Sequence, residues 1–144
     1  MRYLGIDLGS KTIGLAVSDE LGLVATGIEV VPRVGWKKDT ARIRQVIAEY
    51  EIGALVVGLP IRTDGTEGPE AQGVREWADR LQRQVQLPLY YADERFSTAI
   101  AEQALLTFDV SRQKRRKVVD QVAAAVILQT WLDRRRAQAH QVDD

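Results

Sequence analysis

Asp7 and Asp120 are acids set among small or apolar residues, and Glu94, at the end of a strand-like run, is a third candidate for the same chemistry. Asp7 falls in an alternating stretch, with Leu4, Ile6 and Leu8 on one face and Tyr3, Gly5, Asp7 and Gly9 on the other. After a turn at Gly9, Ser10 and Lys11 the alternation resumes, Ile13, Leu15 and Val17 opposing Gly14, Ala16 and Ser18. Paired as a hairpin, the two runs set Asp7 on a face of small residues, which leave room for an ion, a ligand or another backbone. The alternative is a solvent-facing carboxylate on a hairpin that the glycines merely shape. Asp120 lies in VVDQVAAAVIL, apolar around most of a helix, on the face of Ala123, Ala124 and Ile127. An unpaired carboxylate there costs about several kcal/mol or takes up a proton, so a cation or strong donors are implied. Its alternatives are a helix cap or a pairing with Arg116. Glu94 follows directly on a strand-like run, where the strands of α/β sheets open onto binding crevices. Asp93 competes with it, because neighbours on an extended chain point opposite ways.

Carboxylates from three distant places suit a hard divalent ion with oxygen ligands, Mg2+ or Mn2+, and suit zinc poorly. The chain has no cysteine, and its single histidine, His140, lies in a polar tail. Thiol nucleophiles, iron–sulfur clusters, cysteine-bound zinc and disulfides are excluded, and histidine-based catalysis has almost no material. Such ions keep several waters and take phosphates into their shell, so an all-acid site points to phosphoryl chemistry rather than acyl transfer.

The elements that must position these acids follow from the pattern. After the hairpin, residues 25–32 read as a third strand ending at a proline. Asp39 is placed to cap a helix reaching Tyr50, with Ile43, Val46 and Ile47 as its core face. Residues 54–58, ALVVG, form the continuous apolar run of a strand covered on both sides. A long turn-rich loop follows, and Pro69 then opens a helix whose stripe is Val74, Trp77, Ala78, Leu81 and Val85. Residues 88–92 form a last strand before Asp93 and Glu94, and Ser97 or Thr98 caps a helix to about Leu106. A basic stretch then leads into a long helix from about Val118 to Arg136. The order predicts an α/β fold, a mixed five-stranded sheet with an antiparallel hairpin meander, parallel strands and flanking helices.

With 144 residues, 45% of them hydrophobic, the chain suits one domain, residues 1–144. Its 20 basic and 20 acidic residues cancel, so only local charge can speak for a polyanionic partner. The apolar N-terminal run is broken by Asp7 and lacks a signal-peptide layout, and no run is long enough to span a membrane. A cytoplasmic protein without a membrane partner is expected.

The motifs GIDLGSKTIGLAVSD, VVGLPIRTDGTEGP, YADERFST and KVVDQVAAAVILQ, in this order and spacing, resemble the YqgF/RuvX family of the ribonuclease-H-like superfamily. That family is described as Holliday junction resolvases and as nucleases that process the precursor of 16S ribosomal RNA. The resemblance spans nearly the whole chain and implies a ribonuclease-H-like fold in which Asp7, Glu94 and Asp120 hold the catalytic metals. Departures fall elsewhere: an asparagine is expected near Arg62 or Thr63, and Leu-Thr where Phe96 and Ser97 stand. Ala123 and Ala124 occupy the places of a fourth acid that resolvases of this superfamily often carry.

The implied reaction is metal-assisted hydrolysis of a phosphodiester, with two ions about 4 Å apart. The superfamily implies 5′-phosphate and 3′-hydroxyl products. Lys11, beside Asp7, is placed to neutralise the scissile phosphate or to be a solvated turn lysine. Arg112, Lys114, Arg115, Arg116 and Lys117 form a basic run just ahead of Asp120, suited to holding a nucleic-acid backbone. Gly35, Trp36, Lys37 and Lys38 read as a basic and aromatic loop that stacks a base or packs Trp36 into the core. Arg134 to Arg136 read as a solvated helix end with some phosphate affinity, and Arg62 with Gly65 to Gly68 as a flap over substrate. Symmetric cleavage of branched DNA needs two sites and hence a homodimer, whereas trimming a pre-rRNA end needs one. The rival readings are an ATP-binding module of the actin-like kinase kind and a non-catalytic RNA-binding assembly factor.

Overall fold

The computed structural model describes residues 1–95 and 112–143, with residues 112–121 and 140–143 described by their backbone. In chain order its elements are β1 (Arg2–Leu8), β2 (Thr12–Ser18), β3 (Ala25–Pro32), α1 (Trp36–Glu49), β4 (Ile52–Leu59), α2 (Pro69–Val85), β5 (Leu89–Asp93) and α3 (Arg112–Asp143). The five strands form one sheet in the order β3-β2-β1-β4-β5. β1 pairs antiparallel with β2, and β2 with β3, as short turns allow. β4 runs parallel to β1 and β5 parallel to β4, each reached through a helical crossover.

Period-two alternation decides which core each strand residue joins. Leu4, Ile6, Ile13, Leu15, Leu55 and Val57 pack beneath α1 and α2 against Ile43, Val46, Trp77 and Leu81. Ala16, Val56 and Ala92 point the other way, onto Ala124, Ile127, Leu128 and Leu132 of α3. Burying each large side chain of this second cluster contributes roughly 1.5–3 kcal/mol. At Gly5 the helix comes closest, since a Cβ added there would stand 2.8 Å from the Leu128 Cβ and 3.3 Å from the Ala124 carbonyl oxygen. Around Gly5, then, the small-residue face of the hairpin is filled by another backbone.

Two helix starts differ from the expectation. α1 opens at Trp36, not after Asp39, because Asp39 acts from inside the first turns: its buried carboxylate accepts the amides of Val34 at 3.1 Å and Gly35 at 3.3 Å. Residues 36–38 are thus helix rather than loop. α3 opens at Arg112, so the basic run forms its first turns; these residues are good helix formers with no glycine or proline among them. The helix expected from Ser97 or Thr98 to Leu106 lies outside the described residues. Among the described residues no helix is long and apolar enough to cross a membrane.

Candidate active site

β1, β4 and β5 run in one direction, and their C-terminal ends bring two of the three acids together. Asp7 sits near the end of central β1, opposite Gly14 of β2. Glu94 is the first residue after β5, and its amide donates to the Leu59 carbonyl at 3.1 Å, which fixes where it leaves the sheet. Alternation continues past the strand, so Glu94 follows Ala92 onto the face covered by α3, the face that also carries Asp7. There the Glu94 carboxyl donates a hydrogen bond to Asp7, and its pKa is pushed up to about 9. Burial is the largest cause, followed by the hydrogen bond to Asp7 and by the negative charges of Asp7 and Asp93.

Asp93 turns to a different partner. Its carboxylate accepts the Arg95 amide at 2.9 Å and the Arg95 Nε at 2.8 Å, and the guanidinium holds its pKa below the usual carboxylate range. The two neighbouring acids therefore diverge, one into an ion pair and one onto Asp7.

Room for Glu94 comes from Gly58. A Cβ there would lie 2.7 Å from Glu94 Oε1 and 2.9 Å from the Ile127 Cδ1. Sequence reasoning passed over Gly58, although a glycine closing the β-branched run of residues 54–58 is itself a signal of close approach.

Two carboxyls in contact and sharing a proton are an all-oxygen donor set whose charges repel once ionised, which is a chemical fit for a hard divalent cation. Among the described residues no group of three histidine, cysteine or acidic side chains converges. Asp120 stands on α3, one turn before Ala124 and two before Ile127, and its side chain lies outside the described residues.

The expected cationic contacts separate. Lys11 is exposed at the tip of the hairpin. Arg62 is folded back beside Gly68, 3.9 Å from Glu70 at the start of α2. Its loop is closed by Arg62 and Thr66 backbone bonds, and Asp64 accepts the Thr66 amide at 2.9 Å and its hydroxyl at 2.6 Å. The side chains of Arg112, Lys114, Arg115, Arg116 and Lys117 lie outside the described residues. At the far end of α3, Arg135 is more than a solvated charge, for its guanidinium lies over Trp131, Tyr90 and Tyr3 at 5.1, 5.3 and 5.5 Å.

Residues 1–134 match the model of the RuvX family, described as Holliday junction resolvase. A relative named "Putative pre-16S rRNA nuclease" from Myxococcus xanthus is 51% identical over 136 residues, covering 94% of this chain and 90% of that protein. Another of the same name from Geobacillus kaustophilus is 49% identical over 138 residues, covering 94% of this chain and 100% of its own. Among solved structures, T. thermophilus RuvC in complex with Holliday junction substrate superposes with a TM-score of 0.59 at 20% identity, covering 95% of this chain and 96% of that one. The fowlpox virus Holliday junction resolvase gives 0.56 at 12% identity, covering 92% and 98%. The architecture is therefore the ribonuclease-H-like one of these resolvases. By the match over residues 1–134, this chain belongs to the RuvX family of nucleases.

Proposed function

We propose that the protein is a metal-dependent endonuclease that hydrolyses phosphodiester bonds near the 5′ end of pre-16S rRNA, with Asp7, Glu94 and Asp120 as its metal-holding acids. The observation that carries this reading is the contact between Asp7 and Glu94, two carboxyls held together at the strand ends of a nuclease fold. The rRNA substrate is supported by the names of relatives that match over nearly their whole length at about half identity. Holliday junction cleavage is the second reading, favoured by the description of the family.

Asp7 and Glu94 cannot both be anionic in this contact without a compensating cation, so the proton between them must leave before they act as ligands. Bound divalent ions supply two things, a lowered pKa for an attacking water and charge neutralisation at the phosphate. The chain's own part is positioning. Central β1 holds the Asp7 carboxylate, Gly58 leaves space for Glu94, and α3, the helix that carries Asp120, packs on the same face through Ala124, Ile127 and Leu128. Ile127 reaches the space beside Gly58 that Glu94 occupies, so apolar surface borders this half-buried acid on one side.

The deciding experiment incubates the protein, with Mg2+ or Mn2+, with a labelled 5′-extended 16S rRNA fragment, a synthetic four-way DNA junction and a linear duplex, and uses Asp7→Asn as control. Cleavage of the RNA alone supports the processing role, and symmetric cleavage of the junction alone supports resolution. Tight ATP binding with no metal-dependent cleavage of any nucleic acid would return the chain to the kinase-like reading. Function that survives Asp7→Asn, Glu94→Gln and Asp120→Asn but is lost with the basic run would make it an assembly factor.

A further inference from the structure

On the other side of the hairpin turn from the acids lies a cavity of about 450 Å3, lined by Ser10, Arg33, Gly35, Trp36, Asp39 and Arg80 among others. Arg33 ties its wall to the turn that follows Asp7: its amide donates to the Lys11 carbonyl at 2.8 Å and its Nη1 to the Gly9 carbonyl at 2.8 Å. Across the cavity the Arg80 guanidinium lies over the Trp36 ring, 4.0 Å from its centroid. Trp36 is in turn held edge-on by Trp77, 5.9 Å away at 77°. Among the described residues, neither Arg33 nor Arg80 has a carboxylate within 4.0 Å. The cavity's one acid, Asp39, is 2% exposed and spends its oxygens on the Val34 and Gly35 amides. Two guanidiniums thus face a polar space against one carboxylate that is turned into the loop.

We propose that Arg33 and Arg80 clamp the phosphodiester backbone of the substrate strand, with Trp36 as the positioning residue that holds Arg80. This rests on the nuclease reading above. A guanidinium fork matches phosphate oxygens, and stacking on an indole fixes Arg80 before the ligand arrives, which removes much of the ordering cost. Arg33 has one N–H on Gly9 and further donors to offer a ligand. Gly9 is two residues past Asp7, and the chain advances at most about 3.5 Å per residue, so Arg33 stands on the order of 10 Å from that acid. Arg80 already covers the Trp36 face that a base would need, so the contact is to backbone and carries no sequence preference.

The test measures binding in an Asp7→Asn background, which prevents turnover, with a fluorescein-labelled four-way junction and a labelled 5′-extended 16S rRNA fragment. Fluorescence anisotropy across a salt series is expected to show Arg80→Gln weakening both probes by about 3–10-fold. The slope of log K against log salt should shrink by about 0.7–0.9, one phosphate contact. Arg33→Gln should do the same. Trp36→Leu should weaken binding like Arg80→Gln, and Trp36→Phe should restore part of it. With Asp7 intact, Arg80→Gln should raise KM while kcat stays within about twofold. Arg80 is exposed on α2, so its variant tests the clamp even if Arg33→Gln disturbs the turn. Unchanged affinity and unchanged salt slope in Arg80→Gln overturn the clamp. Failure of the protein with Asp7 intact to cleave either probe overturns the nuclease reading instead, a result the binding data do not share.

Discussion

Gly58 and Glu94 occupy one space: a Cβ on the first would lie 2.7 Å from Oε1 of the second. The glycine of β4 thereby sets where the acid after β5 can reach, across two strands that no local pattern links. Gly58→Ala should displace the Glu94 carboxylate and press on Ile127. A fall of at least roughly tenfold in single-turnover cleavage is expected, with a loss under about 1 kcal/mol in urea unfolding, because both atoms it meets are ends of side chains that can swing aside. An unchanged cleavage rate would show that Glu94 does not need this position.

The proton shared by Glu94 and Asp7 makes stability depend on pH. The Glu94 pKa rises from 4.5 in the unfolded chain to about 9 in the fold, so its contribution is complete below about pH 4.5 and is lost as pH rises through 9. The metal-free protein should therefore melt progressively lower between these limits, and Glu94→Gln should flatten the profile. A difference of about 4 °C corresponds to roughly 1 kcal/mol in a domain of this size. Mg2+ should raise the melting temperature most at the alkaline end, where both acids are ionised. Differential scanning fluorimetry with and without the ion reads both effects.

Removing either acid should separate chemistry from folding. Asp7→Asn and Glu94→Gln are expected to lower metal-dependent cleavage by at least roughly 100-fold. Both should leave the metal-free protein as stable as the parent at pH 7, or more so, since each ends the carboxyl–carboxylate contact. Isothermal titration with Mn2+ should show weakened binding in both.

The basic first turns of α3 predict a graded effect. Arg115→Gln, Arg116→Gln and Lys117→Gln should each reduce the salt slope of nucleic-acid binding by about 0.7–0.9 if the side chain meets a phosphate, and by nothing if it is only solvated. Anisotropy with the Asp7→Asn protein distinguishes the two position by position.

Gly5 offers a test of the helix against the sheet. Gly5→Ala brings a Cβ to 2.8 Å from that of Leu128 and to 3.3 Å from the Ala124 carbonyl. Lifting α3 to relieve this should destabilise the protein by about 1–3 kcal/mol. It should also slow cleavage, because Asp120 rides on the same helix.

Much of this architecture was legible because the chain marks it with local signals. β3 ends at Pro32 and α2 begins at Pro69, where the ring removes a donor or opens a helix, and both bounds stand where the sequence puts them. The hairpin was visible in its alternation and the α3 contact in its alanines. What escaped depends on partners distant in sequence or on choices that periodicity leaves open. Asp39 reads as a cap by type, but its reach back to Val34 and Gly35 is a matter of geometry. Periodicity alone does not separate Asp93 from Glu94: the nearby Arg95 takes the first and the distant Asp7 the second. The role of Gly58 exists only once β4 and β5 are side by side.

Strand position has a mechanical consequence for the two acids. β1 is paired on both flanks, whereas Glu94 hangs just beyond β5, which among the described residues borders the sheet on one flank only. A cation held by both would sit between a fixed jaw and an adjustable one. Adaptation to a larger or smaller ion would then come from the Glu94 side, and changes in the residues around β5 should retune ion preference while those around β1 abolish it.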